Sequence, residues 1–271
     1  MARLRVMILC GRSPRHLYVA NRLCAACEPL AIVQEVGGED RLAKLGKLLR
    51  RPRRLFGKLW RWLRDRRRYA GGREARYFFP DGLPRLDRPD LVVEVPTVNH
   101  PDVVALADRL QPDLIAVFGT SLIRGPLLTR GRLGMVNLHG GISPWYRGAD
   151  CTFWALYNGE PERVGCTLHF IDPGIDSGDL IAHVHPEVRP GDTELELFWR
   201  GVRASADVYA ELLERLAQGE RFGRKQPGTG HLYRVRDRGW RHERELARRL
   251  EGLLAGIHLP QRVCWYPAQD Q

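Results

Sequence analysis

The residues of this chain best suited to chemistry lie in two short runs. They are Val136-Asn137-Leu138-His139-Gly140-Gly141-Ile142-Ser143-Pro144-Trp145-Tyr146-Arg147-Gly148 and His169-Phe170-Ile171-Asp172-Pro173-Gly174-Ile175-Asp176-Ser177-Gly178. Residues two apart on a strand share a face, so Asn137 and His139 project together, and the Gly-Gly pair after them marks a turn at the strand's carboxyl end. Open α/β sheets bind their ligands at that end. A donating amide, an imidazole that exchanges a proton and a nearby carboxylate are the groups needed to move a carbonyl group onto an amine. Negative charge grows on the carbonyl oxygen as the amine attacks, and one fixed donor there is typically worth roughly 100 to 1000 in rate. The attacking nitrogen must lose a proton and the departing one must gain one. By residue type alone, Asn-x-His before Gly-Gly is equally compatible with a structural turn.

The elements that must position these groups alternate short apolar runs with helix-length amphipathic stretches, the pattern of a mainly parallel sheet with helices on both faces. Strands are predicted near Leu4–Cys10, Leu30–Val36, Leu91–Val95 and Leu114–Phe118, and a helix over His16–Cys27. The sheet is predicted to continue through Met135–His139, Gly165–Phe170 and Leu180–His185. A long helix follows over Thr193–Ala217, with an acidic start and an apolar face of Leu195, Leu197, Phe198, Val202, Tyr209, Leu212 and Leu213. This gives a body over residues 1–220 and a small extension over 221–271, with a helix near Glu243–Leu254. The tail motif QPGTGHLY is a candidate to close the cleft, although no physical argument from sequence requires it. There is no internal repeat.

The formal charge of +11 is local rather than general. Residues 41 to 68 hold 13 Lys/Arg and one Asp, leaving 30 basic against 31 acidic residues elsewhere. Within the basic insertion of residues 41–78, Leu42, Leu45, Leu48, Leu49, Leu55, Leu59, Trp62 and Leu63 recur at helical spacing, interrupted by Pro52. Three readings remain open. The segment is a solvated insertion packing one leucine stripe on the body, a peripheral attachment to anionic lipid, or an RNA contact. Nucleic acid is the least favoured, since only this segment is basic. No apolar stretch approaches a membrane span, and the run in MARLRVMILCGRSP meets a glycine and a charge too soon for a signal peptide. A cytoplasmic protein is expected, peripheral at the membrane if the insertion docks there. The six cysteines are expected as reduced, mostly buried thiols. No metal site is expected, because His183 and His185 alternate on a strand without a partner motif. The turn Cys10-Gly11-Arg12-Ser13-Pro14 lacks a dinucleotide fingerprint.

NLHGGISPWYRGAD, GCTLHFIDPGIDSGDLI and the RPGD turn before the long helix resemble, in order and spacing, the folate-dependent formyltransferases. That family includes enzymes acting on glycinamide ribonucleotide, methionyl-tRNA and amino sugars, and the resemblance extends from about Pro101 to Glu220. It implies a Rossmann-like catalytic fold with 10-formyltetrahydrofolate as cosubstrate and no metal. It implies that Asn137 and His139 polarise the formyl oxygen and that Asp176 orients His139 and a water. It also implies a pterin pocket formed mainly by the backbone of Ser121, Leu122, Ile123, Asp172, Gly174 and Ile175. Tyr146-Arg147-Gly148 is similar to the transfer-RNA and sugar branches, with Arg147 expected to meet a phosphate or carboxylate and Trp145 and Tyr146 a sugar. About fifty residues follow Glu220, fewer than the C-terminal barrel of the transfer-RNA branch. A nucleotide-linked amino sugar is therefore the expected acceptor. Other amines, a homodimer, and an idle body serving as a membrane or RNA adaptor are alternatives. The intact Asn137, His139 and Asp176 argue against the adaptor.

Overall fold

The computed structural model describes residues 3–37 and 52–268. Eight strands form one sheet. They are β1 (Arg5–Cys10), β2 (Glu28–Glu35), β3 (Val92–Val95), β4 (Leu114–Phe118), β5 (Met135–His139), β7 (Cys166–Phe170), β8 (Leu180–His185) and β10 (Arg262–Trp265). The spatial order is β10-β8-β7-β5-β4-β1-β2-β3, and β6 (Tyr146–Gly148) pairs separately with β9 (His231–Tyr233). From β3 to β5 every pairing is parallel; β7, β8 and β10 add on antiparallel. The fully apolar run Leu114–Phe118 is buried throughout, as a central strand covered on both faces must be.

On one face lie α1 (Pro14–Ala26), the short α3 (Arg73–Phe78) and the long α6 (Glu194–Ala217), over a core that includes Ile8, Leu23, Trp199, Val202 and Tyr209. On the other lies α4 (Pro101–Leu110), whose Val103 and Ala107 pack with Met7, Val33 and Val117. Helix α6 starts sharply because Thr193 and Glu196 form a reciprocal capping box. Of its predicted apolar face, all but Phe198 is buried, and Phe198 instead lines the cleft described below. A third cluster joins α5 (Cys151–Tyr157) to α7 (Trp240–Leu254) through Phe153, Trp154, Leu246 and Leu254.

One expectation, and one of the three readings of the basic segment, are corrected here. The tail is not an appendage: β10 forms the sheet edge beside β8, and β9 pairs with the loop strand after His139. The basic insertion does not pack its described apolar stripe on the body. In α2 (Pro52–Arg68), Leu59, Trp62 and Leu63 are exposed, while Arg64 and Arg68 turn inward to carboxylates. Leu42, Leu45, Leu48 and Leu49 lie outside the described residues. No described helix is long and apolar enough to cross a membrane. Cys10, Cys27, Cys151 and Cys166 are buried free thiols, and burial raises Cys10 to about 11 and Cys27 and Cys166 to about 12.

Candidate active site

The order of parallel strands reverses between β1 and β4, and a cleft of ≈ 360 Å³ opens at their carboxyl ends. Asn137, His139 and Asp176 all line it. Asn137 and His139 share one face of β5, two residues apart. Beneath them the Tyr209 hydroxyl donates to the Val136 carbonyl at 2.7 Å and accepts from the Val117 N–H at 3.3 Å, joining β4 to β5.

Asp176 reaches the site from the loop after β7, with φ 49° in the left-handed region. Its Oδ2 accepts from the Gly148 N–H at 2.9 Å and lies 3.4 Å from His139 Nδ1. The other His139 nitrogen, Nε2, is 2.9 Å from the Tyr146 carbonyl, which can only accept. That contact sets the proton on Nε2 and leaves Nδ1 as the basic atom facing Asp176. Gly141 allows the chain to fold this closely over the ring, since a Cβ there would lie 2.8 Å from His139 Nε2 and 2.4 Å from Cys151 Cβ. Burial holds His139 below the usual imidazole range, although Asp176 opposes it. Burial alone would raise Asp176, but the neighbouring His139 and His169 and the Gly148 N–H bring its carboxyl well below the ordinary range. The resting pair is a neutral imidazole beside a carboxylate, with an open position for one proton between Nδ1 and Oδ2.

His169 completes the cluster and carried no role in the sequence reading. It stands directly across the sheet from Asn137. Its Nδ1 donates to the Phe170 carbonyl at 2.8 Å, so its Nε2 accepts from the Asn137 amide at 3.2 Å. This fixes which end of Asn137 carries its N–H groups, leaving one of them unspent. The signal for His169 was the antiparallel register of β5 and β7, which a strand prediction does not supply.

The predicted pterin residues line the same cleft from two loops. The Ser121 N–H and hydroxyl both donate to Glu35, at 2.8 and 2.7 Å, so neither is free for a ligand. Asn99 donates to the Leu122 carbonyl at 2.9 Å and accepts from the Arg124 N–H at 2.8 Å. Asp172 accepts from the Gly174 N–H and the Ser177 hydroxyl. Leu122 and Ile175 are each 38% exposed. Glu35, Asn99 and the cleft-lining Arg15 and His16 are further residues that sequence reasoning missed.

The three predicted acceptor residues separate. Arg147 donates twice to the Ile175 carbonyl, at 2.8 and 2.6 Å, bracing the Asp176 loop. Trp145 is partly exposed beneath the Arg163 guanidinium. Tyr146 does not offer its ring to a ligand: it is buried, its hydroxyl donates to Glu160, and it stacks on Tyr233. Gln226, from the tail motif, donates to the carbonyls of Asp176 and Gly178 at 2.9 and 2.8 Å. His183 and His185 are buried and bonded to the Ser143 and Val164 carbonyls. Among the described residues no cluster could hold a metal ion.

Residues 88–213 match the model of the formyl transferase family. A methionyl-tRNA formyltransferase from Chlorobium chlorochromatii is 35% identical over 126 residues, covering 46% of this chain and 40% of that protein. The chain thus spans about two-fifths of the length of the curated relatives it matches. Solved structures share the fold. A sugar N-formyltransferase from Shewanella aligns with TM-score 0.55 at 15% identity, covering 90% of this chain and 87% of that one. A glycinamide ribonucleotide transformylase from Symbiobacterium toebii aligns with TM-score 0.51 at 22% identity, covering 80% and 89%. Residues 88–213, the part that carries Asn137, His139 and Asp176, are thus similar to the formyl transferase family.

Proposed function

We propose that the chain transfers a formyl group from 10-formyltetrahydrofolate to a primary amine, with a nucleotide-linked amino sugar as acceptor. The observation that carries this is the convergence of Asn137, His139 and Asp176 in one cleft, with His139 Nδ1 3.4 Å from the Asp176 carboxylate. The folate supplies an activated formyl carbon on a nitrogen leaving group. The loops of residues 120–123 and 171–175 suit it: both line the cleft, and Leu122 and Ile175 offer apolar surface to a flat ring.

Asn137, held by His169, directs its remaining N–H at the carbonyl oxygen as charge develops there. The Nε2–H of His139 is spent on the Tyr146 carbonyl and Nδ1 keeps its lone pair, which suits His139 to taking a proton more than to holding that oxygen. As a bond forms between the amine nitrogen and the formyl carbon, Nδ1 takes the amine's proton, and Asp176 stabilises the resulting cation. When the bond from that carbon to the folate nitrogen breaks, the same proton passes to the departing nitrogen. Atoms and charge balance, and His139 returns to its neutral form.

The Tyr-Arg-Gly loop, similar to both the transfer-RNA and sugar branches, favours an acceptor from one of these over a purine precursor. Identity to a methionyl-tRNA formyltransferase supports methionyl-tRNA as a second reading. The test is a panel of nucleotide-linked amino sugars, free amino acids and charged initiator tRNA, followed by product mass. One formyl group gained by an amino sugar is expected; formylation of the tRNA alone would move the acceptor there.

A further inference from the structure

We propose that the outward face of α2 docks on an anionic bilayer surface. On a solvent-exposed helix the cations ordinarily face water and the apolar residues face the body. Here the apolar stripe faces water too, while two of the arginines turn to the body. Leu59, Trp62 and Leu63, at i, i+3 and i+4 on one stripe, are 51%, 53% and 42% exposed. Arg64 and Arg68 have side chains only 11% and 17% exposed, because Arg64 turns to Asp65 and Glu243 and Arg68 to Glu194. The helix is thereby held to the body by charge, with its apolar stripe left outward.

Charge selects the occupant. Pro52–Arg68 carries eight Lys/Arg and one Asp, and Lys58, Arg66 and Arg67 are exposed beside the stripe. The Arg66 guanidinium lies over the Trp62 ring at 5.2 Å. An indole, two leucines and a rim of cations match the boundary of an anionic membrane, where apolar side chains enter the acyl region and cations stay among the headgroups. Beyond Glu243, the adjoining α7 begins with Trp240, 47% exposed, beneath Arg241 and Arg244. A second copy placed on the α2 face would set cations against cations. RNA would engage the arginines and the indole but leave Leu59 and Leu63 without a partner.

The test is co-sedimentation of the full chain with vesicles of equimolar phosphatidylcholine and phosphatidylglycerol, against vesicles of phosphatidylcholine alone. Binding to the anionic vesicles is expected, weakening as salt rises. The Trp62→Ser/Leu63→Ser variant should bind at least about tenfold more weakly with its unfolding midpoint unchanged, because membrane affinity follows buried apolar area as well as charge. Absent binding, or equal binding by the variant, would overturn the proposal. So would a dimer in light scattering that the variant dissociates, or capture of a polyuridine probe in preference to vesicles.

Discussion

At the scale of single residues, the site depends on which atoms are already committed. The Tyr146 carbonyl fixes the His139 tautomer, and His169 fixes the orientation of Asn137. His169→Phe keeps a ring of similar shape but removes the acceptor for the Asn137 amide. We expect kcat to fall by about ten- to a hundredfold with KM little changed, since a misdirected group typically costs up to about 10²-fold; steady-state kinetics that leave kcat intact would contradict this role. Asn137, His139 and Asp176 were legible in sequence because strand periodicity and a family resemblance both pointed to them. His169, Glu35 and Asn99 were not, because each acts through a partner that only the strand register or a distant loop brings near. Tyr146 was misread for the opposite reason: an aromatic residue in a substrate-like loop gives no sign that its ring is packed inward.

At the scale of elements, a charge network ties the tail to the body. Arg238, its side chain 1% exposed, reaches Asp150 at 2.8 Å, Glu243 at 2.7 Å and Glu194 at 3.4 Å, and lies over the Phe153 ring. Glu194 also pairs with Arg68 of α2, so helix, tail and the loop after Gly148 share one cluster. Removing one partner from a buried ion pair typically costs about 3–5 kcal/mol, and Arg238→Met should lose about that much in urea unfolding near neutral pH. Burial alone would raise the Glu194 carboxyl, but Arg68 and Arg238 hold it below its ordinary value of 4.5. A depressed carboxylate stabilises the fold above its unfolded value and loses that contribution as pH falls through its folded one. The gap between wild type and variant should therefore narrow below about pH 4.5; a gap that stays constant into acid would contradict the network's role. Strands and the long helix were legible from apolar periodicity. The tail's entry into the sheet was not, because Arg262–Trp265 is four residues long and its partner, β8, lies some eighty residues earlier.

At the scale of the whole molecule, the net positive charge and the reacting groups belong to different stretches of the sequence. The net excess of cations falls in residues 41–68, whereas the cleft is built from β4, β5 and the loops around them. The central claim concerns the cleft, and its most direct test measures tetrahydrofolate released from 10-formyltetrahydrofolate in the presence of the acceptor amine. Wild type, His139→Ala and Asp176→Ala would be compared, with folate affinity measured in parallel. Groups that act in the transition state should leave that affinity intact while each variant turns over at least about a hundredfold more slowly. Either variant turning over near the wild-type rate would contradict the assignment.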